Sequence, residues 1–216
     1  MSRLAAEQVV TDLNERLEAW YECMEQQDFV DECSRNRRNS RDNHNRLCEL
    51  MEALFQCYSR LMVVRVDLGY SKFDSPYIDY ETARYHREKI CHAFNIHPLF
   101  NHLRGYAWKL EWQPDKGFHY HFIFFFDGHQ CQEDITHGRL IGEMWTKAIT
   151  GCQGHPWNCN LDAETTYHYN AMGCIDYHDT EKQWGLFELA KYLTKVDEYA
   201  AMFVNDNSKL NLAFTK

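Results

Sequence analysis

Residues Pro114 to Asp127 constrain the fold of this chain more than any other stretch. Pro114-Asp115-Lys116-Gly117 is turn chemistry, and Phe122 to Phe126 is an unbroken apolar run that reads as a buried strand. Between them lie Phe118-His119-Tyr120-His121. Successive side chains on a strand point to opposite faces, so His119 and His121 share one face while Tyr120 and Phe122 share the other. Two neutral imidazoles side by side on a rigid strand are half of a divalent-metal site.

The segment upstream of the turn supplies a partner strand, Tyr106 to Trp112. With Asp115, Lys116 and Gly117 as a three-residue loop and Gly117 left-handed, Pro114 faces Phe118, Gln113 faces His119 and Glu111 faces His121. Directly opposed residues point to the same side. Glu111, Gln113, His119 and His121 then form one polar patch. Leu110, Trp112, Tyr120, Phe122 and Phe124 occupy the other face and enter the core. A four-residue loop would break this parity, so the metal reading predicts the shorter one. Asp67, on a branched strand over Leu61 to Leu68, reaches the same patch if that strand lies beside the hairpin. A carboxylate and two imidazoles leave positions open for water or a phosphate oxygen, as a catalytic site requires. Twelve histidines make such a pair weak by itself. The turn glycine, the apolar strand and the acidic partner strengthen it.

Elsewhere the pattern is mostly helical. Val9, Val10, Leu13, Leu17, Trp20, Tyr21 and Met24 give an amphipathic helix from Leu4 to about Gln27. Leu47, Leu50, Met51, Leu54, Phe55 and Tyr58 give a second over about Asn43 to Arg60, expected to pair with the first as an antiparallel hairpin. Between them, Arg35, Arg37, Arg38 and Arg41 lie in a polar stretch read as a linker, either a solvated loop or an arm gripping phosphates. Asp79 caps a helix over about Tyr80 to Phe94, and another spans about Ile135 to Ile149. Weaker extended segments run near Trp157 to Asn160 and Met172 to Tyr177. A last long helix is predicted over about Glu181 to Val204. Strands interrupted by helices, with one tight hairpin, imply an α+β fold: a mostly antiparallel sheet with helices packed on it. Residues 1–60 are expected to form an N-terminal helical hairpin and 61–216 the main domain.

Composition narrows the class. The longest apolar run is far short of a membrane span, and the N-terminus lacks a secretory signal's apolar core. A cytoplasmic protein without membrane contact is expected. Nine cysteines with no C-x-x-C pair argue against a disulfide framework and against a zinc ribbon. Cys152, His155 and Cys159 come nearest to a zinc set, at a spacing that matches no standard finger. A formal charge of −9 is unusual for a chain that handles nucleic acid.

Tyr192 and Lys195 sit three apart on the last helix, on neighbouring surface positions. A phenol is a poor nucleophile at neutral pH, but a nearby cation and a metal-polarised phosphate stabilise the charge that develops as it attacks. Tyr199, seven residues on and nearly on the same face, is a second candidate.

Three blocks carry a resemblance. Val63 through Tyr70, Glu111-Trp112 with Gly117 through Phe122, and Tyr192-Leu193-Thr194-Lys195 resemble, in order, the motifs of HUH endonucleases. That class comprises rolling-circle replication initiators, relaxases and related transposases. Trp108 through Trp112, His119 through Gly128, Ile141 through Trp145 and Tyr192 through Lys195 are similar to the YagK/YfjJ-like family of inovirus-type initiators and prophage relatives. The resemblance implies an RRM-like sheet on which His119, His121 and Glu111 hold Mg²⁺ or Mn²⁺. It also implies that Tyr192 attacks single-stranded or hairpin DNA at an origin, leaving a 5′-phosphotyrosine link and a free 3′ hydroxyl, with Lys195 steadying the phosphate. A host helicase and polymerase would follow. Asp67 and Gln113 are further site candidates, and Arg65, Lys109, Arg35, Arg37 and Arg38 are candidate DNA contacts. The alternatives are a non-catalytic DNA-binding or regulatory protein on the same fold, and a small zinc-stabilised interaction module.

Overall fold

The computed structural model describes residues 3–167 and 171–195. The chain divides into two compact units, Met1–Ser40 and Arg41–Lys216. Two N-terminal helices, α1 (Arg3–Glu25) and α2 (Gln27–Cys57), are separated by Gln26. Both helices expected of the hairpin are therefore present. The arginine-rich stretch between them is not a linker. Arg35, Arg37, Arg38 and Arg41 lie inside α2, which runs from Gln27 to Cys57 without a proline or glycine to stop it. The division at Ser40 also falls well before the boundary expected near residue 60. On α1, Val10, Leu13, Leu17 and Trp20 are exposed.

The second unit is built on β1 (Arg60–Tyr70), β2 (Leu103–Gln113), β3 (Gly117–Asp127), β4 (Gly154–Asn158) and β5 (Gly173–Asp176). The order across the sheet is β2-β3-β1-β4, with β5 also pairing with β1, and every pairing is antiparallel. Helices α3 (Tyr80–Ile96), α4 (Asp134–Met144), the short α5 (Ala163–Thr166) and α6 (Thr180–Thr194) complete it. The α+β expectation holds. Among the described residues, no helix is long and apolar enough to cross a membrane.

Period-two alternation splits the sheet into two unlike faces. One is apolar along its whole length. Met62, Val64, Val66 and Leu68 of β1 and Phe118, Tyr120, Phe122, Phe124 and Phe126 of β3 bury there beneath Ala83, Ile90 and Phe94 of α3 and Ile141 of α4. Asp79 caps α3 as expected, its carboxylate accepting from Thr82 N–H at 2.8 Å. The other face is divided along the strands. Its apolar half, Leu61, Val63, Ala107, Ile123 and Phe125, lies under Leu47, Met51 and Leu54 of α2 and Leu186, Ala190 and Leu193 of α6. Its polar half continues the same strands as Arg65, Asp67 and Gly69 on β1, Lys109, Glu111 and Gln113 on β2, and His119 and His121 on β3.

The hairpin register differs from expectation by one pair. Glu111 opposes His119, Lys109 opposes His121, and Gln113 opposes Gly117 rather than His119. Lys116 N–H donates to Gln113 O at 3.2 Å, closing a turn with Pro114 in its second position, and Gly117 follows at φ 65°. The glycine therefore ends the ladder as its last paired residue instead of sitting in the loop. Three residues still lie between the paired ends, so parity and the shared polar face are kept. A Cβ on Gly117 would meet Ser75 Oγ at 2.2 Å, a second reason for glycine there.

Candidate metal centre

Glu111 on β2 and His119 and His121 on β3 are buried, and one ligand atom from each lies within 4.8 Å of the others. His121 Nε2 is 3.0 Å from Glu111 Oε2, and His119 Nε2 is 3.4 Å from the same oxygen. The far nitrogen of each ring faces an acceptor. His119 Nδ1 lies 3.1 Å from Gly117 O, and His121 Nδ1 lies 2.7 Å from Asp67 Oδ1. Such outer contacts fix the tautomer and turn Nε2 toward a metal. Asp67 thus stands behind His121 and is not one of the three clustered groups.

The donor set fits a divalent cation. The 2.7 Å contact to Asp67 is short but poorly aligned, and both ring nitrogens of His121 are buried without an aligned hydrogen-bond partner. Buried polar atoms are ordinarily satisfied. A cation among one carboxylate oxygen and two imidazole nitrogens would satisfy Nε2 and leave positions open.

Charge is balanced closely around this point. Burial opposes ionisation of Glu111, but His119, His121 and Lys109 outweigh it and hold the carboxyl far below the usual range. Burial would likewise raise Asp67, yet His121 and Arg65 bring it down. For His121, burial is overcome by Asp67 and Glu111, and its proton affinity rises. Two cations complete the group. Lys109 Nζ contacts Glu111 Oε1, and Arg65 Nε lies 3.5 Å from Asp67 Oδ1.

Tyr192, on α6, stands over these residues. Its ring centroid is 6.1 Å from that of His121, edge to face, and the residue is 47% exposed. Arg65 Cζ lies 5.3 Å and Lys109 Nζ 5.7 Å from the Tyr192 ring centre. Burial and Glu111 raise the phenol's proton affinity, while Arg65 lowers it. Arg65 is also 5.3 Å from the ring of Tyr167, so two phenols flank one guanidinium. A cavity of about 1170 Å³ opens over the group, bounded also by Gln113, His155 and Trp157.

The structure thus brings the candidates Glu111, His119, His121, Tyr192, Asp67, Arg65 and Lys109 together, with Gln113 in the cavity lining. Lys195 is not brought in. It is the C-cap of α6, its N–H bonding to Tyr192 O, and its side chain is exposed and outside the cavity lining. Tyr199 and the rest of the helix expected to run to Val204 lie outside the described residues. Arg35, Arg37 and Arg38 are exposed on α2 in the first unit. Cys152, His155 and Cys159 form no metal group, since Glu111, His119 and His121 are the only such cluster among the described residues. Tyr167, Trp157 and Asn160 were not foreseen. The Asn160 amide donates to Val63 O at 2.9 Å and accepts from Arg65 N–H at 2.8 Å, bridging β1 across the gap between its pairing with β5, which ends at Val63, and with β4, which begins at Val66. A lone asparagine after a short strand carries no periodic signal.

No curated protein and no solved structure matches the chain. The family model of the YagK/YfjJ C-terminal domain matches residues 25–209, and the protein belongs to that family.

Proposed function

We propose that the protein is a metal-dependent endonuclease of the HUH type, which nicks and rejoins single-stranded DNA through Tyr192 and so starts rolling-circle replication. The observation that carries this reading is the half-exposed phenol poised over a buried Glu-His-His cluster. A purely structural cluster has no use for an accessible tyrosine above it. The order of the three sequence blocks supports the same class.

Bound Mg²⁺ or Mn²⁺ would polarise a non-bridging oxygen of the scissile phosphate. Glu111, His119 and His121 would hold that ion, and Asp67 would keep the His121 ring turned toward it. Tyr192 Oη attacks phosphorus, the bond to the 3′ oxygen breaks, and a 5′-phosphotyrosine link replaces it. One proton leaves the phenol and one is taken up by the departing 3′ oxygen. Arg65 and Lys109, rather than Lys195, lie beside the ring and offset the negative charge on the phenol oxygen. The phosphodiester energy is kept in the link, so the reverse attack by a 3′ hydroxyl rejoins strands without ATP. A polymerase can extend the released 3′ end.

The test is incubation with a labelled single-stranded oligonucleotide set and Mn²⁺, followed by denaturing electrophoresis. A covalent adduct that vanishes in Tyr192→Phe and with chelator is expected. Tight binding with no adduct across the set would instead mark a DNA-binding protein that has no chemistry.

A further inference from the structure

We infer that Trp157 is the platform on which the base beside the reacting phosphate stacks, which makes the site selective for unpaired DNA. This rests on the nuclease reading given above and adds to it the feature of the substrate that is recognised.

Trp157 sits in one transverse row across four strands. Lys109 opposes His121, His121 opposes Asp67, and Asp67 opposes Trp157. Opposed residues share a face. The indole therefore projects on the same side as the metal-binding imidazole, two strands away, or about 10 Å between backbones. It lines the same cavity as Glu111, His119 and His121 and is 55% exposed.

Its backbone is held firmly from the opposite face. Pro156 abuts Gly142, where a Cβ would come within 2.9 Å of its ring. The Asn158 amide donates to Ile135 O at 2.9 Å. Next to the indole the floor is low. Gly69 lies between His119 and His155, and any side chain there would begin 3.5 Å from the His119 Cβ. A flat, rigidly carried aromatic face beside a bare patch of sheet suits a planar base.

Leaving most of an indole in water forgoes favourable burial, which a stacked base restores. Every base has such a face, so the contact tolerates sequence. Bases in a duplex are already stacked on one another and cannot use it.

The test measures anisotropy of a fluorescein-labelled oligothymidylate with the full chain and Mn²⁺, in a Tyr192→Phe background that prevents covalent capture. Trp157→Ala should weaken binding by roughly 5- to 150-fold, with Trp157→Phe retaining most of the affinity. The thermal midpoint should not move, and binding of the matching duplex should be weak and insensitive to the substitution. Affinity of Trp157→Ala within about twofold of its parent would overturn the stacking role alone, as would equal losses on duplex and single strand. A parent that binds no single-stranded DNA would overturn the underlying reading as well.

Discussion

Two contacts hold the ring of His121, Asp67 Oδ1 at 2.7 Å from Nδ1 and Glu111 Oε2 at 3.0 Å from Nε2. The first orients, and the second marks where a cation could sit. Asp67→Asn keeps the shape of the outer partner but removes its charge. It should weaken Mn²⁺ binding about 10- to 100-fold, read by calorimetric titration, while the sheet stays folded. Metal removal has its own signature. At a hundredfold excess over Kd, Mn²⁺ should add about 2.7 kcal/mol to unfolding stability, and the double variant His119→Ala, His121→Ala should gain nothing. Equal stabilisation of both proteins would place the ion elsewhere. At this scale the sequence was legible where chemistry is local: the shared face of His119 and His121 follows from strand alternation, and that of Glu111 from alternation together with a three-residue loop. Lys195 is close to Tyr192 in sequence but lies outside the cavity lining, whereas Arg65 and Lys109 reach the ring from strands that only the fold brings near.

Among elements, the hairpin shows what periodicity fixes and what it leaves free. Parity decides which face each side chain takes, and parity survived a register one pair away from expectation. The exact pairing depended on Gly117 ending the ladder beside Ser75, a contact between distant segments. Helix α2 shows the opposite case. Its arginine-rich stretch lacks an apolar stripe and so resembles a loop in pattern, yet its residues are adequate helix formers with no breaker among them. The same helix's C-terminal half covers the sheet through Leu47, Met51 and Leu54. Met51→Ala should cost about 2–5 kcal/mol in denaturant unfolding, because the cavity lies between α2 and the sheet. Asn160→Ala should cost about 1–3 kcal/mol by leaving Val63 O and Arg65 N–H unpaired. It should also lower metal-dependent activity if β1 then shifts Arg65. Wild-type stability in Asn160→Ala would refute the bridging role.

Among the described residues of the second unit, one sheet face is sealed by helices and the other is covered over only half its length. The open half collects the ionisable groups and the cavity. If the proposed function holds, this half is where a chain of net charge −9 would meet a polyanion. Arg65, Lys72 and Lys116 line the cavity and Lys109 pairs with Glu111, so the cations there offset the carboxylates of Asp67, Glu111, Asp115 and Glu188 although the chain as a whole is acidic. Binding of single-stranded DNA should weaken with salt by a slope near −0.7 per phosphate neutralised. Lys72→Ala with Lys116→Ala should flatten that slope by about one to one and a half. An unchanged slope would remove the two lysines from the DNA path. The most direct measurement of all is mass-spectrometric mapping of the covalent product after reaction with single-stranded DNA and Mn²⁺. A nucleotide remnant carried through phosphate on the Tyr192 peptide is the predicted result. A remnant on any other residue, or an unmodified chain beside cleaved DNA, would contradict the account.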